Sequence, residues 1–170
     1  MKESIGGAWL ITIVVLFIVL FSSYLAVSIN YTKAFKVKNY IINTIEQNEG
    51  FSKYSNDVIT ASVDSLQKSG STEGRIVAYL KSTGYFTTEN EQEMRRRCNG
   101  DDAFSSQNYY YSGGYCIKKI CNYSGYGAPY YKVTTFIKFQ IPIIQTALLI
   151  EINGETTPLF FDTSDTECAN

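Results

Sequence analysis

The feature that most constrains this chain is its N-terminal run IGGAWLITIVVLFIVLFSSYLAV, Ile5 to Val27. No charged side chain occurs from Ser4 to Thr32, and Ala8 to Ile29 is strongly apolar. A helix rises about 1.5 Å per residue, so this stretch covers the roughly 30 Å hydrocarbon core of a bilayer. The core helix of a water-soluble domain carries a polar stripe along one side, and this segment shows almost none. The chain therefore divides into a short N-terminal leader or tail (1–7), a transmembrane segment (8–29) and a domain of residues 30–170. The domain is long enough to bury a real core.

Ala26-Val27-Ser28 offers small residues at the spacing a signal peptidase prefers. The apolar run, however, is longer than the roughly 7–15 residues of a signal h-region. The helical pattern also continues past it: Phe35, Ile41, Ile42 and Ile45 recur at helical spacing between Lys36, Lys38, Asn39, Asn43 and Glu46. Asn48-Glu49-Gly50 supplies a stop, with Gly50 suited to a C-cap. The expectation is one long helix from about Ile5 to Gln47, an uncleaved signal-anchor. Its first half lies in lipid, and its second half lies on a soluble domain.

Lys2 precedes the span, while Lys33, Lys36 and Lys38 follow it, which by the positive-inside rule puts the domain in the cytoplasm. Four cysteines, dense tyrosine and a Gly/Ser/Asn-rich body argue for an extracytoplasmic domain, and the cysteine argument is taken as decisive.

Beyond the helix, the pattern predicts a second helix near Asn56–Lys68. Ser55 or Asn56 caps it, Ile59, Val63 and Leu66 point inward, and Gly70 ends it. A third follows over Glu73–Ser82, with Thr72 as N-cap, Ile76, Val77 and Leu80 inward, and Gly84 as the stop. Thr87–Gln107 reads as a long loop pinned by Cys98. Arg95-Arg96-Arg97 in that loop reads as a solvated run beside Glu89, Glu91 and Glu93 rather than an anion site.

The period then changes to two. Val133, Thr135, Ile137, Phe139 and Ile141 share one face of a strand; Lys132, Thr134, Lys138 and Gln140 share the other, broken by Phe136. Pro142 ends that strand. Leu148, Ile150 and Ile152 share a face in the next, and Asn153-Gly154 reads as a tight turn into a returning strand over Thr156–Phe161. A further hairpin is expected around Ser112-Gly113-Gly114. Helices first and strands later give an α+β fold: a small antiparallel β-sheet whose apolar face the long N-terminal helix covers.

The cysteines are Cys98, Cys116, Cys121 and Cys168. None forms a CxxC, and without histidine a zinc site would need all four at unsuitable spacing. Two disulfides are the expectation. If the segment from Cys116 to Cys121 is extended, those two are about 16 Å apart and do not bridge. Two arrangements remain: Cys98–Cys116 with Cys121–Cys168, or Cys98–Cys121 with Cys116–Cys168.

No catalytic constellation is visible. Histidine, the commonest general base and metal ligand, is absent. No serine sits in a nucleophile elbow, and no glycine-rich phosphate loop occurs. Asp101-Asp102 is too small a cluster for calcium. With a net charge of −1, nucleic acid is not an expected partner. The reading is a non-enzymatic protein without cofactor or metal, whose partner is the lipid bilayer. Its 14 tyrosines include Tyr109, Tyr110, Tyr111, Tyr130 and Tyr131, a candidate binding surface for a sugar, peptide or cell surface.

The order of parts resembles a known architecture. A short leader ends in Gly6-Gly7, an apolar helix continues as an amphipathic one, and an antiparallel sheet with cysteines comes last. This is similar to the type IV pilin-like proteins, including TadE-like minor pilins (pseudopilins). The late segment YYKVTTFIKFQIPIIQTALLIEINGETTPLF has a similar layout at the end of the TadE-like proteins. A cut after Gly7 places Thr12 where prepilins carry a glutamate, which fits a minor, initiating or retained subunit better than a polymerising one. The resemblance implies a structural component of a cell-surface pilus or of a secretion or adhesion assembly. It also implies self-association, or association with other pilin-like subunits, through the N-terminal helix. Gly6, Gly7 and Ala8 permit close approach there, Ile11, Ile18 and Leu25 mark the helix surface, and Ser22 and Ser23 are candidate interhelical donors.

Overall fold

The computed structural model describes residues 2–89, 91–99, 109–122, 127–141 and 144–160. Four helices precede four strands: α1 (Lys2–Gln47), α2 (Val63–Lys68), α3 (Thr72–Ser82), α4 (Glu91–Asn99), β1 (Tyr109–Ser112), β2 (Tyr115–Asn122), β3 (Gly127–Ile141) and β4 (Ile144–Glu155). The strands form one antiparallel sheet in the order β1-β2-β3-β4. The class is α+β, as the sequence implies.

α1 is continuous over 46 residues, about 69 Å at the usual helical rise. Its C-terminal half packs on the sheet through Ala34, Val37, Ile41 and Ile45, all buried. Ile42 is only partly buried beside this stripe. Phe35, expected inside, stays exposed. It stacks on Tyr31 at a 6.5 Å centroid distance, with the Lys38 ammonium 4.4 Å above its ring. A stripe through positions 34, 37, 41 and 45 follows the 3.6-residue period, and position 35 lies about 100° away from Ala34.

The end of α1 corrects a detail. Gly50 N–H donates to Ile45 O (3.0 Å) and Glu49 N–H to Glu46 O (3.3 Å), the pair of bonds that defines a Schellman ending. The left-handed position is therefore Glu49, at φ 52°, and Gly50 follows it.

The predicted helix from Asn56 does not form before Val63. The Asp57 carboxylate accepts from Ile59 N–H and the Thr60 hydroxyl, and these bonds hold its pKa below the usual value. The Lys81 ammonium gathers the carbonyls of Val58, Ile59 and Ala61 at 2.7–2.9 Å. Those local bonds compete with the helical ladder, and Ile59 is left exposed. Ser62 caps the short α2 instead. α3 starts one residue earlier than expected: Ser71 is the N-cap, and Thr72 turns inward to donate to Gly50 O. Its ending is as read. Gly84 sits at φ 62°, with Gly84 N–H to Lys81 O and Tyr85 N–H to Leu80 O.

Residues 91–99 form a helix where a loop was expected. Glu93 binds Arg96 (3.1 Å) and Arg97 (2.9 Å), an i,i+3 and i,i+4 pairing that lowers the carboxylate's pKa and supports the helix. Arg97 also reaches Leu149 O and Glu151. α4 buries Met94 against Phe136 and Cys116, and Cys98 is joined to Cys116 by a disulfide. That cover explains why Phe136 breaks the polar alternation of β3. The Cys98–Cys116 bond of the first arrangement is present; Cys168, the expected partner of Cys121 in it, lies outside the described residues.

The β1–β2 hairpin turns at Gly113 (φ 53°) and Gly114 (φ 103°), with Ser112 paired to Tyr115, as read. Asn153-Gly154, by contrast, is no turn. Both residues lie within β4, paired with Thr134 and Val133. The described part of the expected returning strand, residues 156–160, is not a strand; Thr156 N–H and Leu159 N–H continue along β3 by donating to Tyr131 O and Pro129 O. Pro142 lies outside the described residues, between the paired Ile141 and Ile144.

The strand directions relative to α1 follow from three contacts. Ile152 and Ile137 pack at Ala34, Gly154 lies against Lys38 and Ile42, and Thr157 N–H donates to Glu46 (2.8 Å). β4 thus climbs α1 away from its apolar half, and β3 descends toward it. The main core lies between them: Val37, Ile41 and Ile45 meet Leu66, Ile76, Leu80, Ile117 and Val133.

Candidate functional site

The site is the N-terminal half of α1. Side chains are described from Gly7 onward, and every large apolar residue from Trp9 to Phe21 is exposed in the isolated chain, on all sides of the helix. Ile11 is 65%, Ile18 56% and Leu25 45% exposed. Among the described residues, no element of the domain covers this surface, and the segment is long and apolar enough to cross a membrane. At about 25 cal/mol per Å², leaving such a surface in water is costly.

Four of its hydroxyls are satisfied locally. The hydroxyls of Thr12, Ser22, Ser23 and Thr32 donate to the carbonyls of Ala8, Ile18, Val19 and Ser28 at 2.8–2.9 Å. A helix entering hydrocarbon needs this self-sufficiency, because lipid offers no hydrogen bonds. Ser22 and Ser23, expected as interhelical donors, direct their donors into their own helix. A Cβ on Gly7 would meet nothing within 4 Å, so the backbone there is open to close approach.

The sequence reading passed over an aromatic signal. Trp9 and Tyr31 are both exposed and stand about 33 Å apart along the helix, near the thickness of the hydrocarbon core. Trp and Tyr favour the two membrane interfaces. Lys33, Lys36 and Lys38 follow Tyr31 within the next two turns of α1. Between α1 and β3, a cleft of about 170 Å³ opens beside Asn30, Lys33, Phe136 and Ile137.

The tyrosine surface is rearranged. Tyr131 is buried in the core, where its hydroxyl accepts from Phe51 N–H, so it is unavailable to a ligand. Tyr130 is half-buried. Tyr109, Tyr110 and Tyr111 form β1, paired with Lys118, Ile117 and Cys116, and nothing further is described of their side chains. Gly6 lies in α1 as backbone only, and Ala8 is exposed. Cys121 lies in β2, about 16 Å along the strand from Cys116.

No protein-family model, curated protein or solved structure matches this chain.

Proposed function

We propose that the chain is a single-span, membrane-anchored structural subunit whose head stands outside the cell membrane. In this reading its apolar half-helix assembles with like helices in the bilayer, in a pilin-like component of a pilus, secretion or adhesion assembly. One observation carries the reading. The helix that would cross the bilayer runs unbroken into the domain and forms part of its core, so a force on the span reaches the sheet without a hinge. A mere tether needs no such continuity. The Cys98–Cys116 disulfide supports an oxidising compartment. Thr12, in place of an acidic residue, suits a minor or initiating subunit.

Photocrosslinking in native membranes tests this. Benzoylphenylalanine placed at Ile11, Ile18 or Leu25 leaves the disulfide intact. The expected result is a crosslink to a second copy or another single-span protein from at least one face. Only lipid adducts from all three positions would show a monomeric anchor.

A further inference from the structure

Resting on the reading of α1 as a span, we propose a second membrane contact: the free end of the β3–β4 ladder enters the headgroup and outer acyl layer of the bilayer that α1 crosses. The strand segments concerned are 139–141 and 144–149.

Direction is the first ground. β3 descends α1 and reaches the level of Ala34 at Ile137. The ladder does not stop there; it continues through Phe139↔Leu148 to Ile141↔Ile144. Four strand residues at about 3.3 Å each carry the backbone roughly 13 Å further. On α1 that distance is about nine residues at 1.5 Å, which brings the pair level with about Leu25, and strand tilt shortens the descent toward Ile29. Tyr31 and the lysines from Lys33 onward already mark the interface at this height.

Composition is the second ground. From Phe139 to Ile150 the sequence FQIPIIQTALLI contains no charge, and Lys138 and Glu151 bracket it. Elsewhere the strands alternate with charge: Lys118, Lys119 and Lys132 lie in the distal part of the sheet. The charge-free stretch therefore coincides with the part of the ladder that overhangs Ala34. In water, a long uncharged and largely apolar stretch of strand sequence favours aggregation. The interface of a bilayer suits such a stretch, because its strand backbone is already paired.

Charge complementarity is the third ground. Lys33 and Lys36, both exposed, stand on α1 at the level of Ala34, where the overhang begins. Cations at that level favour anionic headgroups. The head would then meet the membrane at two places, the span and the hairpin, which fixes its tilt on the surface.

The experiment uses the full chain in liposomes of phosphatidylcholine and phosphatidylglycerol. Benzoylphenylalanine is placed at Ile144 or at Gln145, successive positions that sample both faces of the ladder. Ile18 serves as the span control. Phe160, apolar and 75% exposed at the distal end of the head, serves as the water control. Mass spectrometry after irradiation should find acyl-chain adducts at Ile18 and at position 144 or 145, with none at Phe160. Adducts at Ile18 but none at either ladder position overturn the second contact and leave the span intact. A protein crosslink alone from both ladder positions also overturns it, in favour of a neighbouring subunit. No adduct even at Ile18 overturns the span reading itself.

Discussion

Gly154 of β4 lies directly beneath Ile42 of α1: a Cβ there would stand 2.8 Å from Ile42 Cδ1 and 2.9 Å from Lys38 Cδ. The missing side chain sets how closely the long helix approaches the sheet. Gly154 is cross-strand to Val133, a core residue, so the close approach falls on the edge strand β4 beside the core.

Gly154→Val should therefore destabilise the head by about 1–3 kcal/mol through overpacking. Gly154→Ala should cost less, about 1 kcal/mol or below, because the tips of Ile42 and Lys38 are flexible. Combining Gly154→Val with Ile42→Ala should recover part of the loss, giving a coupling of about 0.5 kcal/mol or more in a double-mutant cycle. Thermal unfolding of the full chain in mild detergent measures it; strictly additive effects would remove Ile42 as the limiting contact.

Glu49 is a non-glycine residue in the left-handed region, at φ 52°. Glu49→Gly relieves that conformation at the C-terminal end of α1 and should stabilise the chain by about 0.5–1 kcal/mol. Gly50→Ala, at φ 148°, should destabilise it. Both are read from the same unfolding transition, and a destabilised Glu49→Gly variant contradicts the Schellman assignment.

Cys98 and Cys116 close a loop with a sequence separation of 18. Replacing both by serine should cost about 3 kcal/mol and loosen α4 from Phe136 and Met94. Peptide mapping without reductant should recover the Cys98–Cys116 pair from native membranes. Recovery of both thiols in free form would falsify the oxidised, extracytoplasmic assignment of the head.

Glu73 at the start of α3 accepts Tyr54 N–H (2.8 Å), but burial, the larger effect, raises its pKa above the usual 4.5. A raised carboxylate binds its proton more tightly folded than unfolded. Its contribution is thus fully present below pH 4.5 and is lost as pH rises through the higher folded value. Asp57 and Glu93 have lowered pKa values and act in the opposite sense, losing their contribution as pH falls. Glu73→Gln should therefore gain stability relative to the parent as pH rises from 4 to 7. Paired melting curves across that range check it, and a parallel offset at all pH values would rule out titration of Glu73.

The sequence by itself determined the elements whose cause is local. An uncharged apolar run long enough for a bilayer, the amphipathic continuation of α1, Gly84 as a helix stop, Gly113-Gly114 as a hairpin turn and the two-residue period of β3 all declare themselves within a few residues. The tertiary structure decided whatever depends on a partner distant in the chain. Asn153-Gly154 carries turn chemistry, yet it lies in a strand because it pairs with Thr134 and Val133 of β3, and the glycine leaves room for Ile42 and Lys38, more than a hundred residues earlier. Residues 91–99 are helical rather than looped because Met94 and Cys98 find Phe136 and Cys116 beneath them. Asn56 to Ala61 is not helical because Lys81 takes its carbonyls, and Tyr131 is core rather than surface because α1, α2 and α3 converge on that face. Local propensities are worth tenths of a kcal/mol to about one, whereas burial and charged hydrogen bonds are worth more, so the distant partner prevails where the two conflict.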